Sequence, residues 1–276
     1  MVLVMRRWRL NSGYCGNTDQ RRTKAGTIPM LKHNIERDLG EFFNIIGNEF
    51  FNTINNNIVP VHWHLVTPAT NVASWDDLSG NGWSATQSTP ANQPTLGTDG
   101  GVNCLSFDGS NDFMTLGNVM ASAASGFYIG LIKFTQDPAG VGMPYVQIGS
   151  GNPVFWSDGN VYEQWGSLSR PSFGNPTPSL TNWTIYQVQN DGTSNGHIVR
   201  INGTVLGTST STVGWSATPR FGGNSSYFFQ GKIAEILALK RIPTQSEREY
   251  LEGYMAWRVG IASVLPNDHP YKSSAP

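Results

Sequence analysis

Cysteine is scarce in this chain of 276 residues, and its scarcity excludes a scaffold held together by disulfides. The sequence contains two cysteines, Cys15 and Cys104, which are far apart. Small secreted domains that depend on disulfides carry many more cysteines at short spacings. The count is therefore typical of a chain that folds in a reducing cytoplasm.

Charged residues are also few, which argues against binding driven by an overall electric field. They make up 13% of the chain, and the formal net charge at pH 7 is -1. Glycine is instead frequent, with 31 residues, and there are 9 tryptophans. This composition favours a turn-rich β-protein over a helical bundle.

Long apolar runs are missing, which excludes a transmembrane helix. The start of the chain, MVLVMRRWRL, differs from a signal peptide because its apolar part is short and is followed, not preceded, by its charges. We therefore expect no membrane partner and no export by ordinary secretion.

Positive charge is concentrated at the start of the chain, where residues 1–37 contain eight Lys or Arg against two acidic residues. Residues 1–32 lack periodicity and are predicted to form an extended basic arm that is ordered against a partner. Nucleic acid is the less favoured partner because the charges are spread out. The arginines expected to anchor the arm are Arg6, Arg7, Arg9, Arg21 and Arg22.

Residues 33–58 have the spacing of an amphipathic helix. Apolar residues recur every three or four positions from Ile35 to Ile54, which places them on one helical face. Such a stripe either packs on its own domain or serves in self-association or docking, and both interpretations stay open. The residues expected to anchor this helix, in a homo-oligomer or against another protein, are Phe42, Phe43, Ile46 and Phe50.

From residue 59 onward, apolar residues alternate with polar ones, as they do in half-buried strands. Turn sequences such as NDG (190–192) and NG (202–203) separate the short strand candidates. The pattern predicts an all-β domain, a sandwich or a jelly roll, over residues 59–276. Within it, segment 231–241 is apolar on both faces, as a central strand would be.

A C-terminal capping helix is predicted over residues 244–259. Thr244 is its expected N-cap, and Glu247 three residues later completes a capping box. Three rings at helical spacing are expected to cover the sandwich: Tyr250, Tyr254 and Trp257.

Four segments share a pattern known from other proteins: SWDDLSGNGWSATQ (74–87), LSFDGSNDFMTLG (105–117), GKIAEILALKR (231–241) and YLEGYMAWRVGIASVLPNDHPY (250–271). They resemble the laminin-G-like, concanavalin A-like jelly-roll domains, above all the versions in bacterial surface proteins and in structural proteins of tailed bacteriophages. The resemblance implies two packed antiparallel sheets and, in some members, one calcium ion at a sheet rim. A chain with a basic arm and without a recognisable signal peptide favours the phage setting.

The sequence lacks the catalytic pattern of glycan hydrolases that share the resembled fold. Those enzymes use two carboxylates on one strand, normally as Glu-x-Asp-x-x-Glu, and no such motif occurs here. Glu235 stands alone in its strand, and the adjacent Asp76 and Asp77 would point to opposite faces of a strand. We therefore predict that the chain is not an enzyme and has no catalytic residues, with a glycoside hydrolase as the less favoured alternative.

The stretch FDGSNDF (107–113) places two carboxylates around a Gly-Ser-Asn turn. Asp108 can accept backbone N–H groups within such a turn, and Asp112 begins the next strand. Together with Asp77, these oxygens could also bind calcium, which takes about 6–8 oxygen ligands. Turn formation is favoured because no dense Asp/Asn loop is present, so no cofactor is expected and calcium is kept as an alternative.

Four aromatic residues in or beside turns are candidates for binding a glycan or a protein partner: Trp156, Tyr162, Trp165 and Trp215. An exposed ring can stack on a sugar ring or anchor a protein interface. Packing in the sandwich core is the alternative for each of them.

Together these patterns predict a structural protein of a tailed-phage virion, made in the host cytoplasm. Residues 1–58 would join other virion proteins. The jelly roll would project outward as a tail-fibre or host-attachment component that meets a host-surface glycan, or as a capsid decoration protein. A bacterial glycan-binding, lectin-like protein is the alternative.

Overall fold

The computed structural model describes residues 2–5, 71–137, 154–155, 159–223 and 227–276. Within these ranges the chain forms a sandwich of antiparallel β-sheets with one α-helix near the C-terminus, which confirms the predicted fold class. The arginines predicted to anchor the arm and the predicted helix at 33–58 with its anchoring residues lie outside the described residues.

Fifteen strands and one α-helix make up the described part of the chain. In chain order they are β1 (Val2–Met5), β2 (Ser74–Trp75), β3 (Ala85–Thr86), β4 (Thr95–Asp99), β5 (Val102–Asp108), β6 (Met114–Thr115), β7 (Gly126–Phe134), β8 (Val154–Phe155), β9 (Val161–Tyr162), β10 (Ser172–Gly174), β11 (Thr184–Asn190), β12 (His197–Ile201), β13 (Thr204–Ser209), β14 (Arg220–Phe221), β15 (Gln230–Leu239) and α1 (Gln245–Arg258). Single 3-10 turns lie at Pro90–Asn92 and Ala262–Val264.

The larger layer is an eight-stranded sheet whose strands are ordered β13-β12-β11-β7-β15-β5-β4, with β1 paired to β15 beside this path. The second layer is divided into a four-stranded sheet, β14-β6-β3-β2, and a three-stranded sheet, β10-β9-β8. The division refines the predicted two-sheet sandwich. It follows from strands of two or three residues, which are too short to form one continuous ladder.

Strand β1 falls within the segment that was predicted to be an extended arm. Val2 and Met5 of this strand pair with Leu239 and Ile236 of β15. Strand β5 pairs with the other half of β15, from Gln230 onward. Residues 2–5 therefore continue one edge of the large sheet, while the arm and helix boundaries at 1–32 and 33–58 stay predictions.

The interior between the two layers is an aromatic core. Trp75 and Phe221 of the four-stranded sheet lie 5.3 Å apart between ring centroids. Phe107 and Phe134 of the large sheet pack around Phe229, at 5.8 Å and 5.2 Å between centroids. All five rings are at most 5% exposed, so each contributes buried apolar area that stabilises the fold by about 25 cal/mol per Å².

Helix α1 covers the outer face of the large sheet. Leu251 and Met255, one helical turn apart, belong to one buried cluster with Ile129, Leu131 and Leu237 of strands β7 and β15. Strand β15 is thus buried on both faces, as its apolar sequence predicted. Among the described residues, no helix combines the length and the apolar character needed to cross a membrane.

The start of α1 agrees with the sequence, but its buried face does not. The Thr244 hydroxyl accepts the Glu247 N–H, and the Glu247 carboxylate accepts the Thr244 N–H, so the predicted capping box is confirmed. The prediction that Trp257 covers the sandwich is wrong, because its side chain is 40% exposed. Aliphatic Leu251 and Met255 face the sheet instead, while the Trp257 indole N–H donates to the carbonyl of Tyr271 in the C-terminal tail.

Candidate functional site

The outer face of the four-stranded sheet presents small polar side chains. Its inner positions, Trp75, Ala85, Met114 and Phe221, are buried in the core. Neighbouring residues of a strand point to opposite faces. Each of these four strands therefore turns its other residue outward.

The outward residues of the four strands are in register. Ser74 pairs with Thr86, Thr86 with Thr115, and Thr115 with Arg220. We call these four side chains the polar row. Adjacent strands are about 4.8 Å apart, so three hydroxyls and one guanidinium are spread over ~14 Å across the sheet.

A shallow depression of about 340 Å³ opens at the centre of the polar row, lined by Ala73, Thr86, Gln87, Ser88 and Thr115. Gln87 fixes the backbone around the depression by two side-chain hydrogen bonds. Its amide N–H donates to the Phe113 carbonyl at 3.1 Å, and its amide oxygen accepts the Thr89 N–H at 3.0 Å. Thr86 and Thr115 are exposed. The depression thus offers hydroxyl groups on a backbone held by hydrogen bonds.

The two ends of the polar row carry opposite charges. At one end the Ser74 hydroxyl donates to the Asp76 carboxylate at 2.8 Å. At the other end the Arg220 guanidinium lies over the Phe113 ring, 4.8 Å from its centroid. The row therefore has a negative end and a positive end.

A half-buried indole flanks the row. Trp83 lies against Gly117, where an added Cβ would come within 2.5 Å of the ring. Gly117 follows β6, two residues beyond Thr115, and the Trp83 ring also packs against the buried core. The aromatic residues next to the row are therefore Trp83 and Phe113, and neither was among the sequence-predicted binding residues.

The FDGSNDF stretch builds a turn. One oxygen of Asp108 accepts the backbone N–H groups of Ser110, Asn111 and Asp112, at 2.8–3.4 Å. The Asp112 carboxylate accepts the Asp108 N–H at 3.0 Å, and burial raises the pKa of Asp112 to about 6. This is the predicted turn geometry.

Asp77 likewise holds its own loop, by accepting hydrogen bonds from Ser79 and from the Trp83 N–H. No group of three or more His, Cys, Asp or Glu side chains in the described ranges is arranged to hold a metal ion. Calcium binding at these loops stays an untested alternative.

The four predicted binding aromatics do not form one site. Trp165 is 1% exposed and packs on Tyr128 and Trp215 in the core, which corrects its assignment because a buried ring offers no face to a sugar. Trp215 is half-buried, with its indole N–H donated to the Ala123 carbonyl at 2.7 Å. Tyr162 is half-exposed in β9. Trp156 lies outside the described residues.

Two further carboxylates, Glu163 and Glu235, are buried in the described part of the chain. Glu163 lies in the sandwich interior, accepts the Tyr186 hydroxyl at 2.7 Å, and has its pKa raised to about 7 by burial. Glu235 lies under α1, in contact with Tyr254 and Arg258. Both face packed side chains and not a groove.

Comparison with known proteins adds a fold likeness. No family model and no curated protein sequence matches the chain. Among solved structures, a Trypanosoma rangeli sialidase is similar at 13% identity and a TM-score of 0.52, over 80% of this chain and 39% of that chain. A mutant of the same sialidase that displays trans-sialidase activity is similar at 13% identity and a TM-score of 0.50, over 73% and 33% of the two chains.

A botulinum neurotoxin type C chain, whose cell entry depends on interaction with two ganglioside molecules, aligns at 14% identity over 74% of this chain and 53% of that chain. Its TM-score is 0.47, which is lower than that of the sialidase chains. The chain spans about two fifths of the length of the sialidase chain, 39%. At these identities the likeness shows a shared β-sandwich fold and nothing about shared residues.

The likeness corrects one prediction and leaves others untested. The prediction that the chain is not an enzyme is wrong. Chains of similar fold are sialidases, and one of them displays trans-sialidase activity. That deduction depended on a missing pair of carboxylates, whereas sialidases use a tyrosine nucleophile. These likenesses give no support to the phage setting, and the virion location, the oligomer and the partners of residues 1–58 stay predictions.

Proposed function

We propose that the chain is a carbohydrate-binding β-sandwich protein, and that it binds a glycan on the outer face of the four-stranded sheet. The observation that carries this proposal is the polar row, in which Ser74, Thr86, Thr115 and Arg220 lie in register across four strands. The fold likeness to chains of a sialidase supports the same class of ligand.

The chemistry of the row suits a sugar. Each Ser or Thr hydroxyl both donates and accepts a hydrogen bond, as a sugar hydroxyl does. Thr86 and Thr115 border the depression, so a sugar ring placed there meets hydroxyls from two strands. The part of the Trp83 ring that the core does not cover supplies apolar surface of the kind on which sugar rings stack.

The local sequence explains why this face is open. The strands are two residues long, with an apolar residue inward and a small polar residue outward in β2, β3 and β6. Small hydroxyl side chains leave room above the sheet. Helix α1 packs on the outer face of the large sheet, whereas the depression lies on the outer face of the four-stranded sheet.

The test is binding of the full chain to a library of immobilised oligosaccharides, followed by calorimetry with the best binder. Thr86→Val and Thr115→Val each keep the side-chain shape and remove one hydroxyl. Each should weaken binding about two- to tenfold, the usual worth of one hydrogen bond. Release of a monosaccharide during the same assay, detected by mass spectrometry, would reveal a glycan-cleaving activity.

The matched control is Thr208→Val, which removes an exposed hydroxyl from β13 of the other layer. It should leave glycan binding unchanged. The proposal fails if no oligosaccharide binds, or if the Thr86 and Thr115 variants bind as tightly as the native chain.

A further inference from the structure

Arg220 has different surroundings from Arg241, Arg248 and Arg258, each of which lies beside a carboxylate. Arg241 forms a two-point pair with Glu247 at 2.7 Å and 2.9 Å. Arg258 contacts Glu235, and Arg248 lies 3.3 Å from Glu252. In the part of the chain that the structure describes, no carboxylate pairs with Arg220. Its guanidinium lies over the face of the Phe113 ring.

The support beneath Arg220 is rigid. The Phe113 N–H donates to the Asn92 carbonyl at 3.1 Å, and the Phe113 carbonyl accepts the Gln87 amide at 3.1 Å. Both sides of the Phe113 backbone are therefore held. Arg220 itself is paired through β14 with Thr115. A guanidinium that stacks on a ring keeps the N–H donors along its edge available for a ligand.

We propose that Arg220 is an anion subsite at the end of the polar row, and that the glycan bound there carries a carboxylate or a sulfate group. This inference rests on the proposed function and names the class of sugar. A guanidinium presents planar paired donors that match both anions, and a positive charge that no carboxylate of the described residues pairs with is well neutralised by an acidic ligand.

The charge pattern of the row also sets the orientation of the ligand. The Asp76 carboxylate, bonded to Ser74, lies at the opposite end from Arg220. The strand spacing puts the two ends ~14 Å apart. This distance exceeds the screening length of about 8 Å at physiological salt, so a charged group at one end feels mainly the charge of that end. The acidic group is therefore attracted at one end of the row and repelled at the other.

The experiment measures binding of the full chain to matched oligosaccharides in neutral, carboxylated and sulfated forms. The native chain should bind at least one acidic form about tenfold or more tightly than the neutral form, as expected for a charge-assisted hydrogen bond. Raising the salt concentration should reduce this ratio. The carboxylated and sulfated arms separate the two sources of the anion.

Two variants test the residue directly. Arg220→Gln removes the charge and should bring the acidic-to-neutral affinity ratio close to one. Arg220→Lys keeps the charge but loses the planar donor pair, so the ratio should fall part of the way. Arg170→Gln, which removes a positive charge from the exposed connection between β9 and β10, is the control and should leave the ratio unchanged. Thermal melting checks that each variant is folded.

The outcomes separate this inference from the proposed function. If the native chain binds neutral and acidic forms equally well, or if Arg220→Gln keeps the acidic preference, the anion subsite is refuted while glycan binding stands. If the native chain binds no oligosaccharide of any class, both proposals fail.

Discussion

The two outer faces of the sandwich differ in the burial of their polar side chains. On the large sheet, polar side chains are buried under α1. Glu252 accepts the Gln187 amide at 2.7 Å, lies 3.3 Å from Arg248, and is 3.0 Å from His269. On the four-stranded sheet, Thr86 and Thr115 are left exposed.

The difference shows how one fold can divide structure and function between its faces. Buried charges are costly unless they are paired, so the network around Glu252 specifies how the helix sits on the sheet. Exposed hydroxyls cost little to leave in water and can exchange water for a ligand. Changes on the first face should therefore act on stability, and changes on the second should act on binding.

The largest expected effect comes from breaking the buried network. Glu252→Ala removes the shared acceptor of Gln187, Arg248 and His269, so the free energy of unfolding should fall by about 3–5 kcal/mol. Chemical denaturation of the full chain measures it. The control is Glu249→Ala, on the same helix and hydrogen-bonded to Gln245, which should cost no more than about 0.5 kcal/mol. Equal losses in the two variants would contradict the comparison.

An intermediate effect is expected from Glu163, which sharpens the contrast because it is buried with no cation beside it among the described residues. Its carboxylate is bonded to the Tyr186 hydroxyl and to the N–H groups of Gln164 and Trp165. Burial raises the pKa of Glu163 from 4.5 to about 7. Between these two pKa values Glu163 is protonated in the folded chain and ionised in the unfolded chain. Its contribution to the free energy of unfolding is therefore full below about pH 4.5 and is lost as the pH rises through about 7.

Glu163→Gln removes this titration. The free energy of unfolding of the variant, minus that of the native chain, should increase by about 3 kcal/mol between pH 4 and pH 8. Denaturation curves at several pH values give this difference. Subtraction also removes the contributions of His197, whose pKa burial lowers to about 4, and of Asp112, whose pKa is raised to about 6. A difference that does not change with pH would refute the prediction.

The smallest effect on stability is expected on the open face. Thr115→Val keeps a β-branched residue at an exposed strand position, so the free energy of unfolding should change by no more than about 0.5 kcal/mol. The same variant should still weaken glycan binding. A large loss of stability would show that the Thr115 hydroxyl is part of the fold and not of a binding face.

Local patterns in the sequence predicted much of the large sheet. The predicted central strand at 231–241 covers all of β15 (Gln230–Leu239) but its first residue, because a long apolar strand carries a signal in its own residues. Asn202 and Gly203 adopt positive φ angles of 53° and 86° at the β12–β13 turn, a conformation that Asn and Gly adopt more readily than other residues. The Thr244 capping box is similarly local.

Other elements depended on distant partners. Strand β4, TLGTD, was not predicted, because Gly97 and Asp99 are poor strand residues and its pairing with β5 supplies the stability. The burial of Trp165 and the exposure of Trp257 were also missed. The local sequence around a tryptophan does not show whether residues from distant parts of the chain cover its ring.

The sequence by itself determined the all-β class, the central apolar strand, the tight turns and the capped C-terminal helix, because each depends on residues that are close together in the chain. The tertiary structure decided the candidate site. Ser74, Thr86, Thr115 and Arg220 are spread over nearly 150 positions of the chain, and their strands are two residues long. Such strands are too short to show an alternating pattern. Only pairing across four strands brings three hydroxyls and one guanidinium into a single row.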